Sequence, residues 1–332
     1  MKKNYLNRLI LTTTLFATMA TGCKKDYDNP NQATAEETFA DDRAATAVAV
    51  GLQRVYAVGA ASSLYALVNA NGFVTNELIL RNAGNIPELQ LSTGGSAVDG
   101  TNTVLNNVWS RSSKIIFDAN NVINFANTLE DRSYASGLIA FSSIFKALSI
   151  GNMAMFWEQI PDTTGQNVAF IDRIDGYRKA VAVADNAIAV YLATPPSAAV
   201  LNRLQVRDAT TGNYPIDILN TLYALKARYS LFAGDYTTAL AAANLVDLTK
   251  PSVLTFDALN QNPVFESATA TNNVFQPVDS SLGLPDALEP NLADKRIPFY
   301  IGINTSIAPR YRIRGFYATG TTPVPIFLPG EI

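Results

Sequence analysis

The residue types in this chain rule out several kinds of chemistry. The sequence contains no histidine and one cysteine, Cys23, so neither a Ser-His-Asp nor a Cys-His nucleophile can be assembled, and Cys-His zinc sites are excluded. Glycoside hydrolysis would need a carboxylate pair, for which Asp172 with Asp175 and Glu130 with Asp131 are the candidates. Acidic residues at helix ends usually cap the helix or are solvated. We therefore predict a protein that is not an enzyme and has no catalytic residue, metal ligand or cofactor.

Side chains suited to sugar binding are concentrated in two stretches. Sugar sites place aromatic faces against apolar sugar rings and surround them with amide and charged groups that bond the hydroxyls. Residues 71–103 are rich in Gly, Asn, Ser and Thr and show no helical period, which predicts a long functional loop region with short strands. The candidate ligand-binding residues of this stretch are Asn76, Glu77, Arg81, Asn82 and Asn85. Those of the second stretch, the late region at 250–330, are Phe275, Tyr300, Tyr311 and Tyr317.

A structural role stays open as the alternative for each of these candidates. Asparagines commonly form turns and aromatic residues commonly belong to cores. Trp109 lies on an apolar helical stripe, and we interpret it as a core residue. Trp157, near a predicted helix end, stays open between the two roles, whereas Asp41 with Asp42 resembles a helix N-cap.

The single cysteine follows a segment that resembles a bacterial lipoprotein signal. Residues 1–8 are basic, and residues 9–20 form an apolar run of signal-peptide length that is too short to span a bilayer. Small residues at positions 20–22 then precede Cys23, as in a lipobox, where the cysteine receives the lipid and becomes the mature N-terminus. A secretory signal with an incidental cysteine is the alternative. Residues 1–22 are thus the predicted signal peptide and residues 23–40 a flexible tether.

Composition predicts one globular domain for residues 41–332. Hydrophobic residues make up 48% of the sequence and charged residues 16%, whereas disordered chains combine low hydrophobicity with high charge. The net charge is −3, and loss of the three basic residues of the signal peptide takes it to about −6. Nucleic acid is excluded as a partner, because it requires a basic footprint.

Apolar residues recur at helical spacing in four stretches, 41–58, 104–127, 136–157 and 174–193, which predicts four helices. The last two end before Pro161 and at Pro195. The predicted buried stripe of the second consists of Leu105, Trp109, Ser112, Ile116, Ala119, Ile123 and Ala126. Those of the third and fourth are Leu138, Phe141, Phe145 and Leu148, and Tyr177, Val181, Ala184, Ile188 and Leu192.

Residues 217–247 carry the clearest motif. Two amphipathic faces flank Gly234-Asp235, and they consist of Leu222, Leu225, Tyr229 and Phe232, then Tyr236, Ala239, Leu240, Ala243 and Val246. Two such helices with alanines at their contact resemble a tetratricopeptide unit, in which Tyr236 would fill the gap at the turn. Stretches 136–157 and 174–193 could form a second unit, and the array must then pack on helices 41–58 and 104–127. For residues 250–330 we predict irregular structure with short strands. Because the rest of the predicted domain is helical, the predicted fold class is mainly α.

These pieces, in this order, resemble the SusD/RagB family of nutrient-uptake lipoproteins. The early helix carries the family's Gly-x-x-x-x-Tyr as Gly51 to Tyr56. Residues 75–77, Thr-Asn-Glu, stand where the family often has a Ser-Asp-Glu-like run. The family's Trp-x-x-x-Tyr-x-x-Ile-x-x-Ala-Asn helix matches residues 109–120, with Ser113 replacing the Tyr. The Gly-Asp-Tyr turn and residues 294–296, Asp-Lys-Arg, follow.

The resemblance implies a SusD-like helical scaffold that is lipid-anchored in the outer membrane of a Gram-negative bacterium and faces the cell surface. Such proteins capture an oligosaccharide, or sometimes a peptide, for a SusC-like TonB-dependent barrel transporter. In the family, a run like residues 325–332 opens a further helix, and we therefore expect the C-terminal part to be missing here. The alternative function is a tetratricopeptide scaffold lipoprotein that mediates protein–protein assembly. A glycan-cleaving enzyme is a third and weaker alternative.

Overall fold

The structure is a computed structural model that describes residues 39, 41–269, 274–278, 284–288, 291, 293–303 and 311–332. Contacts divide the chain into residues 1–40 and residues 41–332. The predicted signal peptide, the lipidation site Cys23 and the tether lie outside the described residues, apart from Phe39. The fold described below is that of residues 41–332.

The described part is mainly helical. Its helices are α1 (Asp42–Ala57), α2 (Ser63–Val74), α3 (Ile86–Thr93), α4 (Thr103–Thr128), α5 (Arg132–Phe156), α6 (Arg173–Ala193), α7 (Ala198–Leu204), α8 (Ile218–Phe232), α9 (Tyr236–Ala243), α10 (Pro263–Thr269) and α11 (Ile297–Tyr300). The predicted helices at 41–58, 104–127, 136–157 and 174–193 and the pair within 217–247 are confirmed as α1, α4, α5, α6 and α8–α9.

Acidic and amide side chains fix where the helices begin. Asp131 accepts a hydrogen bond from the amide of Tyr134 at 3.0 Å and so starts α5. Asp172 accepts from the amide of Ile174 at 3.2 Å and starts α6. These side chains satisfy first-turn amides that no helical carbonyl can reach. The capping interpretation is confirmed, and it also holds for Asp41 at the start of α1.

Helix α5 lies at the centre of a helical array. It packs against α4 on one side and α6 on the other, α8 packs against α6 and α9, and α1 packs against α4 and α5. Within the described part of the chain, α5 is the one helix long and apolar enough to cross a membrane. Since 89% of its most apolar window is buried, it is the core helix of the domain. The predicted packing of the array on α1 and α4 is confirmed.

The α8–α9 turn is built as predicted, but its side chains are arranged differently. Gly234 has a φ of +79°, a backbone conformation that glycine adopts without strain. Ala239 and Ala242 are buried where α9 packs on α8. The predicted role of Tyr236 in filling the turn is wrong, because 70% of its surface is exposed. Exposure also contradicts the predicted burial of Phe232, Leu240 and Leu192.

Residues 71–103 are only partly loop. They include the end of α2, the strand β1 (Leu78–Leu80), helix α3 and a 3-10 turn at Gly95–Ala97. The sequence does not predict helix α3, because its apolar period spans only two turns and is interrupted by polar residues and flanking Gly-rich segments. In these two turns, burial is confined to Glu88 and Leu91.

Pairs of short antiparallel strands complete the fold. Strands β2 (Gln159–Pro161) and β3 (Phe170–Asp172) form a hairpin beside α5 and α6. The other pairs are β1 with β5 (Phe275–Pro277), β4 (Val253–Leu254) with β8 (Val324–Pro325), and β6 (Ile301–Ile303) with β7 (Tyr311–Ile313). The prediction of largely irregular structure with short strands after residue 250 is confirmed in the described residues.

Candidate functional site

A cleft of about 750 Å³ opens between α4, α5, α6 and the β2–β3 hairpin. We call it the aromatic–lysine cleft. The hairpin is held against the helices because Gly176 of α6 leaves no Cβ, which would lie 2.7 Å from a methyl carbon of Ile160. Arg173 adds a second tie, since its guanidinium donates to the carbonyl oxygens of Ala154 at 3.0 Å and Met155 at 2.7 Å. The last turn of α5 is thereby capped and fixed to the hairpin.

Three aromatic side chains form one wall of this region. The rings of Trp109 and Phe170 are nearly parallel, at 22° with centroids 6.2 Å apart, and Trp157 meets Trp109 edge-on at 5.0 Å. Phe170 is 54% exposed and both tryptophans are half-buried. These three rings also line a recess of about 450 Å³, which adds the polar side chains of Asn106 and Gln159. Exposed aromatic faces beside amide groups are what saccharide binding needs.

The prediction that Trp109 belongs to the core is wrong, because its side chain is only half-buried. The buried stripe of α4 consists of Val104, Val108, Ser112, Ile115, Ala119, Val122 and Ala126. Three of these residues belong to the predicted stripe, but Leu105, Trp109, Ile116 and Ile123 lie one position off the centre and are half-buried. Helix α4 has apolar residues at neighbouring positions, so its apolar sector is wide. The spacing alone could not tell the centre of this sector from its edge.

Cationic side chains face the interior of the cleft. Lys114, Lys146 and Lys179 line it, together with a single carboxylate, that of Asp162. Lys179 pairs with Asp162 at 2.7 Å, and Lys114 pairs with Asp118 at 2.8 Å. The side chain of Lys146 has no ion pair or hydrogen bond with another described residue. Burial lowers the pKa of Lys146, and the charge of nearby Lys179 lowers it further.

The cleft is poorly equipped for hydrolysis. Glycosidases hold two carboxyl groups about 5 to 10 Å apart across the bond they cleave, whereas Asp162 is the one carboxylate among the described residues lining this cleft. Asp172 and Asp131 cap helices, and Asp175 pairs with Arg178 at 2.7 Å. No group of three acidic, histidine or cysteine side chains that could hold a metal ion occurs in the described residues.

A second cavity, of about 450 Å³, brings together three of the predicted ligand-binding residues. Glu77, Tyr300 and Tyr317 line it with Arg314 and apolar residues of α2 and β7. We call it the tyrosine cavity. Burial raises the pKa of Tyr317 to about 12, so its hydroxyl stays protonated at neutral pH and can donate a hydrogen bond. The grouping of Glu77 with residues more than 200 positions later was not visible in the sequence.

The remaining predicted residues lie elsewhere, and several have structural roles. Asn76 has a φ of +67° just after α2, and Asn82 accepts a hydrogen bond from the amide of Gly84 at 3.0 Å. The side chain of Asn85 donates to the carbonyl of Asn82 at 3.1 Å, and the amide of Arg81 bonds the carbonyl of Val274 at 2.7 Å. Tyr311 pairs with Ile303 between β6 and β7.

Phe275, the last of the predicted residues, is fully buried. Its ring packs against Tyr65 at 6.3 Å and against Phe73 at 6.0 Å. It belongs to a core cluster that α2, α4 and α10 contribute. A ligand-binding role for Phe275 is therefore wrong, and the alternative interpretation of a core aromatic holds.

Structural comparison identifies the fold. The chain matches a SusD-like carbohydrate-binding protein from Bacteroides fragilis with a TM-score of 0.65 at 11% identity, over 89% of this chain and 73% of that one. A SusD-like carbohydrate-binding protein from Bacteroides vulgatus gives 0.59 at 10% identity, over 88% and 69%. No protein-family model and no curated protein sequence matches the chain.

A SusD/RagB family protein from Bacteroides thetaiotaomicron matches with a TM-score of 0.55 at 16% identity. That match covers 71% of this chain, which spans only half of the solved protein. At these identities the likeness establishes the fold. The expectation of a mainly helical, SusD-like fold, which began with the order of the sequence motifs, is confirmed.

Proposed function

We propose that this chain is a lipoprotein of the outer membrane that captures an oligosaccharide in the aromatic–lysine cleft. The observation that carries this proposal is the wall of Trp109, Trp157 and Phe170, whose rings are accessible beside a cleft large enough for several sugar units. Proteins of the same fold are SusD-like carbohydrate-binding proteins, which supports saccharide over peptide as the ligand. The single carboxylate of the cleft supports capture without cleavage.

Ligand binding can be measured without a label. The chain contains two tryptophans, and both lie in the proposed site, so the tryptophan fluorescence of the protein reports on this region alone. We expect a panel of oligosaccharides to contain one that changes this fluorescence in a saturable way and is recovered uncleaved. Product formation would contradict the capture role, and a fluorescence unaffected by every glycan would contradict the site.

The lipid anchor and the transporter partner are further parts of the proposal. They rest on the lipobox around Cys23 and on the resemblance to SusD/RagB proteins. We expect Cys23→Ser to move the protein from the membrane fraction to the soluble fraction, because the lipid attachment atom is lost. The protein purified from native membranes in mild detergent should bring a large TonB-dependent barrel protein with it. A variant that stays in the membrane, or a protein that purifies alone, would contradict the respective part.

One observation favours the alternative function of a protein-binding scaffold. The α8–α9 pair exposes an apolar groove of about 390 Å³ lined by Leu231, Phe232, Tyr236 and Leu240. Contiguous exposed apolar surface often marks a protein contact. Leu240→Ser should abolish co-purification of a partner protein if the scaffold function is right, and it should leave glycan binding unchanged if the capture function is right.

A further inference from the structure

We propose that the aromatic–lysine cleft selects saccharides that carry an anionic substituent, either a carboxylate or a sulfate. The ammonium group of Lys146 is the group that binds this substituent. The proposal rests on the proposed function, that the cleft binds a saccharide, and names the chemical class of that saccharide. It assigns Lys146 a role in specificity.

The first support is the difference between the three lysines. Lys114 and Lys179 each have an aspartate within ion-pair distance, so their charges are matched within the protein. Lys146 has no such partner among the described residues, although it is half-buried in the same cleft. Charged groups removed from water are usually paired. A bound anion would therefore supply the ion-pair partner that Lys146 lacks within the described part of the protein.

The second support is the position of Lys146 on the fold. Lys146 projects from the middle of α5, which is largely buried. The packing of this helix fixes the position of the Lys146 backbone, from which the side chain extends into the cleft. Ile150 and Met153, which follow on the same helix, also line the cleft. Trp109 and Phe170 line the same cleft. A saccharide that stacks on these two rings therefore lies in the cleft that Lys146 also lines.

The third support is electrostatic. Burial lowers the pKa of Lys146, and the charge of Lys179 lowers it further, so the surroundings of Lys146 penalise its ammonium form. An anionic group bound beside Lys146 offsets the repulsion and part of the desolvation cost. A neutral sugar can offer hydroxyl oxygens to Lys146, but it leaves the charge unmatched. Discrimination in favour of acidic sugars follows from this difference.

The test compares ligands that differ only in charge. Oligogalacturonate and its methyl ester have the same sugar rings with and without a free carboxylate, and a sulfated carrageenan oligosaccharide and its desulfated form provide the equivalent pair for sulfate. Tryptophan fluorescence and calorimetry give the dissociation constants. We expect one acidic member to bind about tenfold more tightly than its neutral partner, as for a hydrogen bond to a charged group. The pair that shows this difference identifies carboxylate or sulfate as the natural substituent.

Variants then assign the preference to Lys146. Lys146→Met keeps the length and apolar stem and removes the charge, so we expect the acidic ligand to fall to the affinity of the neutral one. Lys146→Arg should keep the preference. Lys226→Met is the control, since Lys226 lies outside the cleft and pairs with Asp185 at 2.5 Å, and we expect it to leave the preference unchanged. Melting temperatures of all variants check that the fold is retained.

The two levels of the proposal fail in different ways. If neutral and acidic partners bind equally, and Trp109→Ala weakens both, the cleft is a saccharide site and the charge selection is wrong. Equal loss of acidic and neutral binding in Lys146→Met also overturns the role of Lys146. If none of these ligands binds, or if Trp109→Ala leaves the affinity unchanged, both the proposed site and the charge selection are overturned.

Discussion

The aromatic–lysine cleft and the tyrosine cavity are built from different kinds of structure. The cleft is formed by three long helices and one hairpin, whose lining residues lie between positions 109 and 179. The tyrosine cavity joins α2 and β1 to residues beyond 276 that belong to short strands, turns and the short helix α11. The cleft combines exposed aromatic rings with an unmatched cation, whereas the cavity offers one carboxylate, one guanidinium and two tyrosine hydroxyls. This difference is why we propose the aromatic–lysine cleft, and not the tyrosine cavity, as the binding site.

The comparison depends on the helical frame, and the largest expected effect comes from breaking it. A Cβ at Gly151 of α5 would lie 2.1 Å from ring atoms of Tyr229, which is fully buried. We expect Gly151→Ala to cost about 1–3 kcal/mol of unfolding free energy, because the packed core has no room to yield. Chemical denaturation measures this loss. The matched control is Gly51→Ala in α1, where a new Cβ meets nothing within 4 Å.

The control variant should be stabilised by about 0.5–1 kcal/mol, as usual for glycine replaced by alanine inside a helix. Equal effects at the two glycines would show that the close contact of α5 with Tyr229 does not govern stability. If Gly151→Ala folds at low temperature, we expect its glycan affinity to fall as well, since Lys146, Ile150 and Met153 are on the same helix.

The second prediction compares the two cavities directly. Trp109→Ala removes the ring that stacks on Phe170, and we expect glycan affinity to fall about tenfold, which corresponds to about 1.4 kcal/mol. Tyr300→Ala removes an exposed ring from the tyrosine cavity and should leave the affinity nearly unchanged. Calorimetry with the same oligosaccharide measures both. If the Tyr300 variant loses more affinity than the Trp109 variant, the assignment of the two cavities must be reversed.

Some of these features are predictable from the sequence alone and others depend on the packing of the helices. Helices α1, α4, α5 and α6 were predictable because their apolar residues recur at 3.6-residue spacing and their ends carry Asp, Asn or Pro. The position of Trp109 at the edge of the apolar stripe of α4 was not predictable, because it depends on how α4 is rotated against α5. Lys146 carried no local signal, because its lack of a partner is a property of three helices together.

The third prediction concerns the core beneath the tyrosine cavity. Glu88 is 7% exposed and accepts a hydrogen bond from Tyr65 at 3.4 Å. Burial raises the pKa of Glu88 above the ordinary value of 4.5. A raised folded-state pKa means that Glu88 favours folding when protonated, and that this contribution is lost as the pH rises through the folded-state pKa. We therefore expect Glu88→Gln to stabilise the protein at neutral pH.

This gain should shrink as the pH is lowered towards 4.5, where the wild-type carboxyl becomes neutral too. Denaturation curves of both proteins at the two pH values measure it. Glu266→Gln provides a control, because Glu266 is an exposed acidic residue of α10. A stabilisation of the Glu88 variant that is the same at both pH values would show that charge is not its cause. We expect no effect on glycan affinity, since Glu88 does not line the cleft.

The last prediction tests whether the polar segment after α2 forms a turn or binds a ligand. Asn76 adopts a φ of +67°, where an alanine is strained by about 1–2 kcal/mol and a glycine is not. If Asn76 forms the turn, Asn76→Ala lowers the melting temperature, Asn76→Gly leaves it nearly unchanged, and both bind glycan normally. If Asn76 is a ligand-binding residue, the two variants lose affinity equally, because both lack the amide. The backbone separates the two roles here because glycine keeps the conformation while removing the chemistry.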